Sequence, residues 1–231
     1  MIKNRRNSFA NFLFIKFSLI FVFSMVSFSC AFRDPVIISV DNRIVYDYEN
    51  EKDSPVQKLS VFLKMDYDVR RIENIQLVNN ETGFRWIISS PELIQNDNDE
   101  YAGYTYLCSS NQDDGLLPEG TYTVYFLDSS GKDAFSTFNL NYDKKNSKLS
   151  YPELLKKVEF NRNEITVAVY SADSILEYYG EINYKNSELE DFDFTEYVKM
   201  TFQDSAYYRL FYKKDNVIYI MPQVQIEHNV Q

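Results

Sequence analysis

The sequence is poor in the residues on which most catalytic and metal chemistry depends. It has 1 histidine in 231 residues, and that residue, His228, stands among the last few of the chain. A terminal tail is a poor place for a general base. With 2 cysteines and that histidine, the donor set of a structural zinc site is missing. No G-x-S-x-G, H-E-x-x-H or phosphate-binding glycine loop is present. Only 6 glycines exclude collagen-like and glycine-rich β-helical designs. A net charge of -10 excludes nucleic acid as a partner and a basic groove for lipid A, because both ligands are polyanionic. No cofactor is implied.

What is present begins with an address. Lys3, Arg5, Arg6 and Lys16 precede an apolar run over 17–28 that ends just before Cys30. A membrane-spanning helix needs about 20 apolar residues. This run is shorter, unless a one-pass anchor is drawn over 12–28. A basic start, a short apolar middle and small residues before a cut site fit a secretory signal peptide. The segment "VSFSC" resembles a bacterial lipobox, of the loose kind found in spirochaete lipoproteins: Ser29 fits, whereas Ser27 and Phe28 depart from the usual pattern. The resemblance implies cleavage after residue 29 and acylation of Cys30. Membrane binding would then come from the lipid, at about 0.8 kcal/mol per buried CH₂. The mature chain would be more acidic still, since four basic residues leave with the leader. Cys108, in the alternating "YTYLCSS", is expected as a small buried side chain without a disulfide partner.

Beyond Cys30 the pattern is that of strands. Val36, Ile37, Ile38 and Val40, then Ile44, Val45 and Tyr46, are β-prone. Leu59, Val61, Leu63 and Met65 alternate with Lys58, Ser60, Phe62 and Lys64, the period of a half-buried strand. "RRIENIQLVNNETGFRWIIS" reads as two strands around "NNETG", with Trp86 placed either in the core or toward a ligand. "EYAGYTYLCSS" is a further strand, with Ala102, Tyr104 and Tyr106 sharing a face. The acidic loop "QNDNDEYAG" offers oxygens of the kind calcium takes, but it departs from the EF-hand spacing.

"LLPEGTYTVYFLDSSGKDAFSTFNLNY" reads as a corner followed by a β-hairpin. Tyr122, Val124 and Phe126 are expected to face the core, with Thr123, Tyr125 and Leu127 on the other face. Pro118, Gly120, Tyr122, Val124, Asp128 and Gly131 resemble the last two strands of immunoglobulin-like and fibronectin-III-like sandwiches. That resemblance implies a β-sandwich in which Tyr122 is a corner tyrosine bonding backbone.

The expected organisation is mainly β. A cleaved signal peptide (1–29) is followed by an Ig-like antiparallel sandwich (30–143), a linker (144–157) with a helical turn at "SYPELLKK", and a second, smaller β-rich domain (158–231). In the last part, "KVEFNRNEITVAVYS" reads as a hairpin with arms 158–160 and 165–170, "ILEYYGEINYK" follows, and "YVKMTFQDSAYYRLFYKKDNVIYIMPQVQIEH" reads as three strands. Tyr207, Tyr208, Arg209, Phe211, Tyr212 and Tyr219 are the candidate binding residues, on a strand expected near a sheet edge. Tyrosine and arginine are enriched at interface cores, and of the pairs Tyr178/Tyr179 and Tyr207/Tyr208 one ring each must face outward.

These readings point to a non-catalytic protein of the cell envelope, bound to a membrane through Cys30, with an envelope protein as partner. The alternatives are a carboxylate hydrolase acting on glycan and a carbohydrate- or ligand-binding module.

Overall fold

The computed structural model describes residues 33–51, 54–96, 99–109, 115–157, 165–181 and 194–227. Cys30, the hairpin arm at 158–160 and His228 lie outside them. The fold is mainly β, as the alternation predicts, and its two sheets are consistent with a β-sandwich.

The first half of the chain supplies β1 (Ile37–Asp47), β2 (Val56–Met65), β3 (Ile72–Asn79), β4 (Arg85–Ile88), β5 (Glu92–Asn96), β6 (Asp99–Cys108), β7 (Gly120–Asp128) and β8 (Asp133–Leu140). Sheet B is antiparallel, in the order β4-β3-β7-β8. After helix α1 (Tyr151–Lys157) come β9 (Ile165–Tyr170), β10 (Leu176–Glu181), helix α2 (Phe194–Thr201), β11 (Tyr207–Lys214), β12 (Val217–Ile220) and β13 (Val224–Gln225). Sheet A is curled and runs β10-β9-β11-β12-β1-β2-β6-β5, with β13 beside β11. The region expected as a second unit is thus β-rich, and its strands extend sheet A through one parallel pairing of β12 with β1.

The core lies between the sheets. Leu59, Val61, Leu63 and Met65 of β2 point into it, where they meet Ile75, Leu77, Tyr122, Val124 and Phe126 from sheet B. The face assignment along the hairpin therefore holds, as Tyr125 is exposed. The Tyr122 hydroxyl donates to the Pro118 carbonyl at 2.7 Å, as the corner-tyrosine resemblance implies. Trp86 fills the flank of this core: it stacks on Tyr122, and its indole N–H donates to the Cys108 carbonyl at 2.9 Å.

At the start of helix α1 the Glu153 carboxylate reaches back and accepts from both the Ser150 N–H, at 2.9 Å, and the Ser150 hydroxyl, at 2.7 Å, the Glu half of a capping box. It buries Leu154, while Tyr48 donates to the Leu149 carbonyl at 2.9 Å. The segment expected as a linker is thereby fastened to β1.

Two expectations are corrected. "YVKMT" lies in helix α2 and not in a strand. Val198, and Phe202 just past the helix end, pack with Val167, Val169, Tyr208 and Ile226 in a small second core. Covering that part of β9 and β11 overrides the β propensity of the segment. Cys108 is exposed, not buried. Leu107 pairs with Leu59 and Tyr104 with Val61, so β6 carries one extra residue. This bulge reverses the alternation, sending Leu107 inward and Tyr106 and Cys108 outward.

Candidate binding face on sheet A

Sheet A has a second face, away from sheet B. Alternation divides the six candidate residues between the two faces. Tyr208, Tyr212 and Tyr219 point inward and are buried, with Tyr208 bonded to the Thr195 hydroxyl at 3.0 Å. Tyr207, Arg209 and Phe211 share the other face. The strand that carries them is not at an edge, as expected, but lies between β9 and β12 with its backbone paired on both sides. A free-backbone partner site on β11 is therefore ruled out. Among the described residues, the edges of sheet A are β10 and β5.

Register lays out the outward face in rows. One row runs Asp47, Ile220, Phe211, Thr166 and Glu181, across five strands. The next has Lys58, Val45, Ile218 and Lys213. On the other flank come Arg209, Ala168 and Tyr179, then Tyr207 and Tyr170. Val45, Ala168 and Ile220 are nearly inaccessible, at 1%, 1% and 3%. The curl of the sheet and the large neighbouring side chains bury them, and the face becomes a trough.

The trough holds a cavity of about 550 Å³. Its floor is Val45, Ile218 and Ile220, and its rings are Tyr106, Tyr179 and Phe211. Ser60, Thr105 and Thr166 offer hydroxyls, while Glu181, Lys213 and Asp215 add charge. Tyr179 meets Phe211 edge-on at 5.8 Å and is 60% exposed. Tyr170 and Tyr207 stack at 4.8 Å. Tyr106 reaches the trough only because of the bulge in β6.

Beside the cavity sits an ionic group. The Asp47 carboxylate lies 2.8 Å from the Lys58 ammonium and 2.5 Å from the Arg209 guanidinium. Arg209 also donates to the Met221 carbonyl at 3.0 Å, and Lys58 lies over the Tyr106 ring at 5.0 Å. Burial pushes the Tyr106 hydroxyl above its ordinary pKa, and the Asp47 carboxylate adds to this, against Arg209 and Lys58. Tyr170 is raised for the same first reason, with Tyr106 and Tyr207 contributing.

Such a face binds by apolar contact, ring stacking and hydroxyl hydrogen bonds. Asp47 is engaged by two cations, Lys58 and Arg209. In the acidic loop, Asp97 and Asn98 lie outside the described residues; on either side of them β5 pairs antiparallel with β6, and Asp99 pairs with Lys64 at 2.6 Å. Among the described residues, no three His, Cys, Asp or Glu side chains are grouped to hold a metal ion.

Sequence reasoning missed Val45, Ile218 and Ile220. The signal was in "IVY" and "VIYIM", where consecutive apolar residues mark strands buried on both faces. Asp47 and Lys58 left no such sign, because their partner Arg209 lies far along the chain. Compared with known proteins, the sequence matches no family model and no curated protein.

Proposed function

We propose that this is a lipid-anchored, non-catalytic protein of the bacterial cell envelope, which binds a partner polypeptide in the trough of sheet A. The leader and the lipobox-like "VSFSC" support the anchor. The trough carries the binding reading: a cavity of about 550 Å³ floored by Val45, Ile218 and Ile220. Pockets of a few hundred to 1,000 Å³ with an apolar lining and a few polar groups are the usual form of a binding site. The outward rings of Tyr106, Tyr179 and Phe211 supply anchors of the type that dominate interfaces. A second reading, a neutral sugar, is favoured by the exposed Tyr179 ring in a cavity that the Thr166 and Ser60 side chains also line.

A photo-crosslinking residue placed at Tyr179 separates these readings, with Phe135 on sheet B as the control position. A protein adduct from position 179 and none from 135 is the expected result in intact cells. Adducts from 135 alone would put the binding face on the opposite sheet. A glycan adduct at 179 would favour the sugar.

A further inference from the structure

Exposed apolar side chains collect at one end of sheet A. Val36 and Ile38, at the start of β1, are 52% and 55% exposed; Leu93 and Ile94 of β5 are 47% and 45% exposed. Register puts them on a level. Ser39 pairs with Lys64, Lys64 with Tyr101, and Tyr101 with Ile94. Four strands at about 4.8 Å spacing span about 15 Å. Between the apolar residues lie Tyr101 and the Lys64–Asp99 ion pair. An amphipathic ring and a long-stemmed cation of this kind suit a membrane–water boundary.

The chain itself limits what this end can meet. Cys30 precedes Val36 by six residues. At about 3.5 Å per residue, a fully stretched tether reaches about 20 Å. If Cys30 carries the acyl chains, the start of β1 is held within about 20 Å of the bilayer surface. A chain of net charge -10 gains nothing from anionic lipid, so the contact must be apolar.

We propose that this end of sheet A, through Val36, Ile38, Leu93 and Ile94, rests on the lipid surface. The inference depends on the anchor reading and adds an orientation to it. Seven residues of β1 separate Ile38 from Val45, about 23 Å at strand rise. The trough is then presented toward other envelope components, clear of the head groups.

The test installs the anchor chemically. The compact unit begins at Val36, so a chain starting at Cys30 retains it. Cys108→Ser removes the exposed second thiol, and Cys30 is coupled to a maleimide lipid in phosphatidylcholine vesicles. Ile38→Trp and Ile94→Trp report on the proposed contact, and Phe135→Trp on the far sheet is the control. All retain Trp86, and these positions are exposed enough to accept the ring. Brominated phosphatidylcholine is expected to quench the probes at 38 and 94 several-fold more than the one at 135. Equal quenching, or more at 135, would overturn the orientation. Native acylation is read separately, from the mass of the protein isolated from the envelope. Failure of the anchor reading is thus distinguishable from failure of the orientation.

Discussion

Arg209 and Asp47, 162 residues apart, meet at 2.5 Å on the outer face of sheet A. With Lys58 on the other carboxylate oxygen, they tie β11 to β1 and β2 at the level where the parallel pairing joins the two halves of the chain. Breaking a buried pair leaves an uncompensated charge, at about 3–5 kcal/mol. Asp47→Ala, which strands two cations, is expected to cost about 3 kcal/mol, and Arg209→Met, which leaves Lys58 in place, about 2 kcal/mol. The paired change Asp47→Ala with Arg209→Met leaves only Lys58 without its carboxylate, and should cost less than the sum of the two single losses. Urea denaturation of the four proteins tests this. Additive losses would show that the two residues are not coupled.

The corner at Tyr122 allows a finer dissection. Tyr122→Phe keeps the ring and loses the bond to the Pro118 carbonyl, which should cost about 1 kcal/mol. Tyr122→Ala also empties a site stacked on Phe138 and Trp86, and should cost about 3–5 kcal/mol. Gly120 has φ +120°, and a Cβ there would come within 2.7 Å of the Glu81 carboxylate. Gly120→Ala should therefore destabilise through backbone strain even though the Glu81 side chain can move away. Thermal melts of the three variants check the order. A melting point unchanged in Tyr122→Ala would contradict the packing.

The local structure was legible in the sequence, and the long-range pairing was not. Alternation in β2 and in the β7–β8 hairpin located buried and exposed faces because each strand has one wet side. Asp128 shows the same local legibility: "DSSGK" is a turn, in which the Asp128 carboxylate accepts from the Ser130 and Lys132 N–H groups at 2.8 Å. Nothing local says that β12 will lie parallel to β1, since that register rests on contacts across most of the chain. The same gap hid the trough, whose wall at Tyr106 depends on a bulge defined only by the pairing of β6 with β2.

Buried tyrosines make a prediction about alkaline stability. Burial holds Tyr46 and Tyr48 well above their ordinary pKa and pushes Tyr122 up to about 12, there against a hydrogen bond with Asn79. In the unfolded chain these phenols titrate near 10. A pKa raised on folding means that the folded state keeps its protons longer. The stabilisation is whole below about pH 10 and is lost as pH climbs through the folded pKa. Stability should therefore fall above about pH 10. Phenolate absorbance in the native protein should stay below that of the denatured chain until unfolding. If every tyrosine ionised near pH 10 in the folded protein, these rings would not be buried as described.

Acylation at Cys30 is checked by Cys30→Ser. The variant is expected to remain uncut and to take up no palmitate analogue. Normal cleavage and labelling would exclude the anchor. Cys108→Ser should behave like the unaltered protein, and so separates the two thiols.

The trough itself predicts a separation between binding and stability. Tyr179 is largely exposed on β10, and its ring meets Phe211 edge-on. Surface substitutions of this kind change stability by no more than about 0.5 kcal/mol. If the ring is an anchor for a partner, Tyr179→Ser should cost binding about 1–2 kcal/mol, a loss of roughly five- to thirty-fold, with no shift in melting temperature. Tyr208→Ser should do the reverse: its ring is buried against Val167, Val169 and Val198, so unfolding comes first and any loss of binding follows from it. Phe211 is intermediate, half-buried beside Ile220 and facing the cavity, and Phe211→Ser should lower both. Binding is measured with the partner recovered by crosslinking at Tyr179, and stability by thermal melts of the same preparations. Should Tyr179→Ser bind that partner unchanged while Phe135→Ser weakens it, the outer face of sheet B is the working surface and the trough is not.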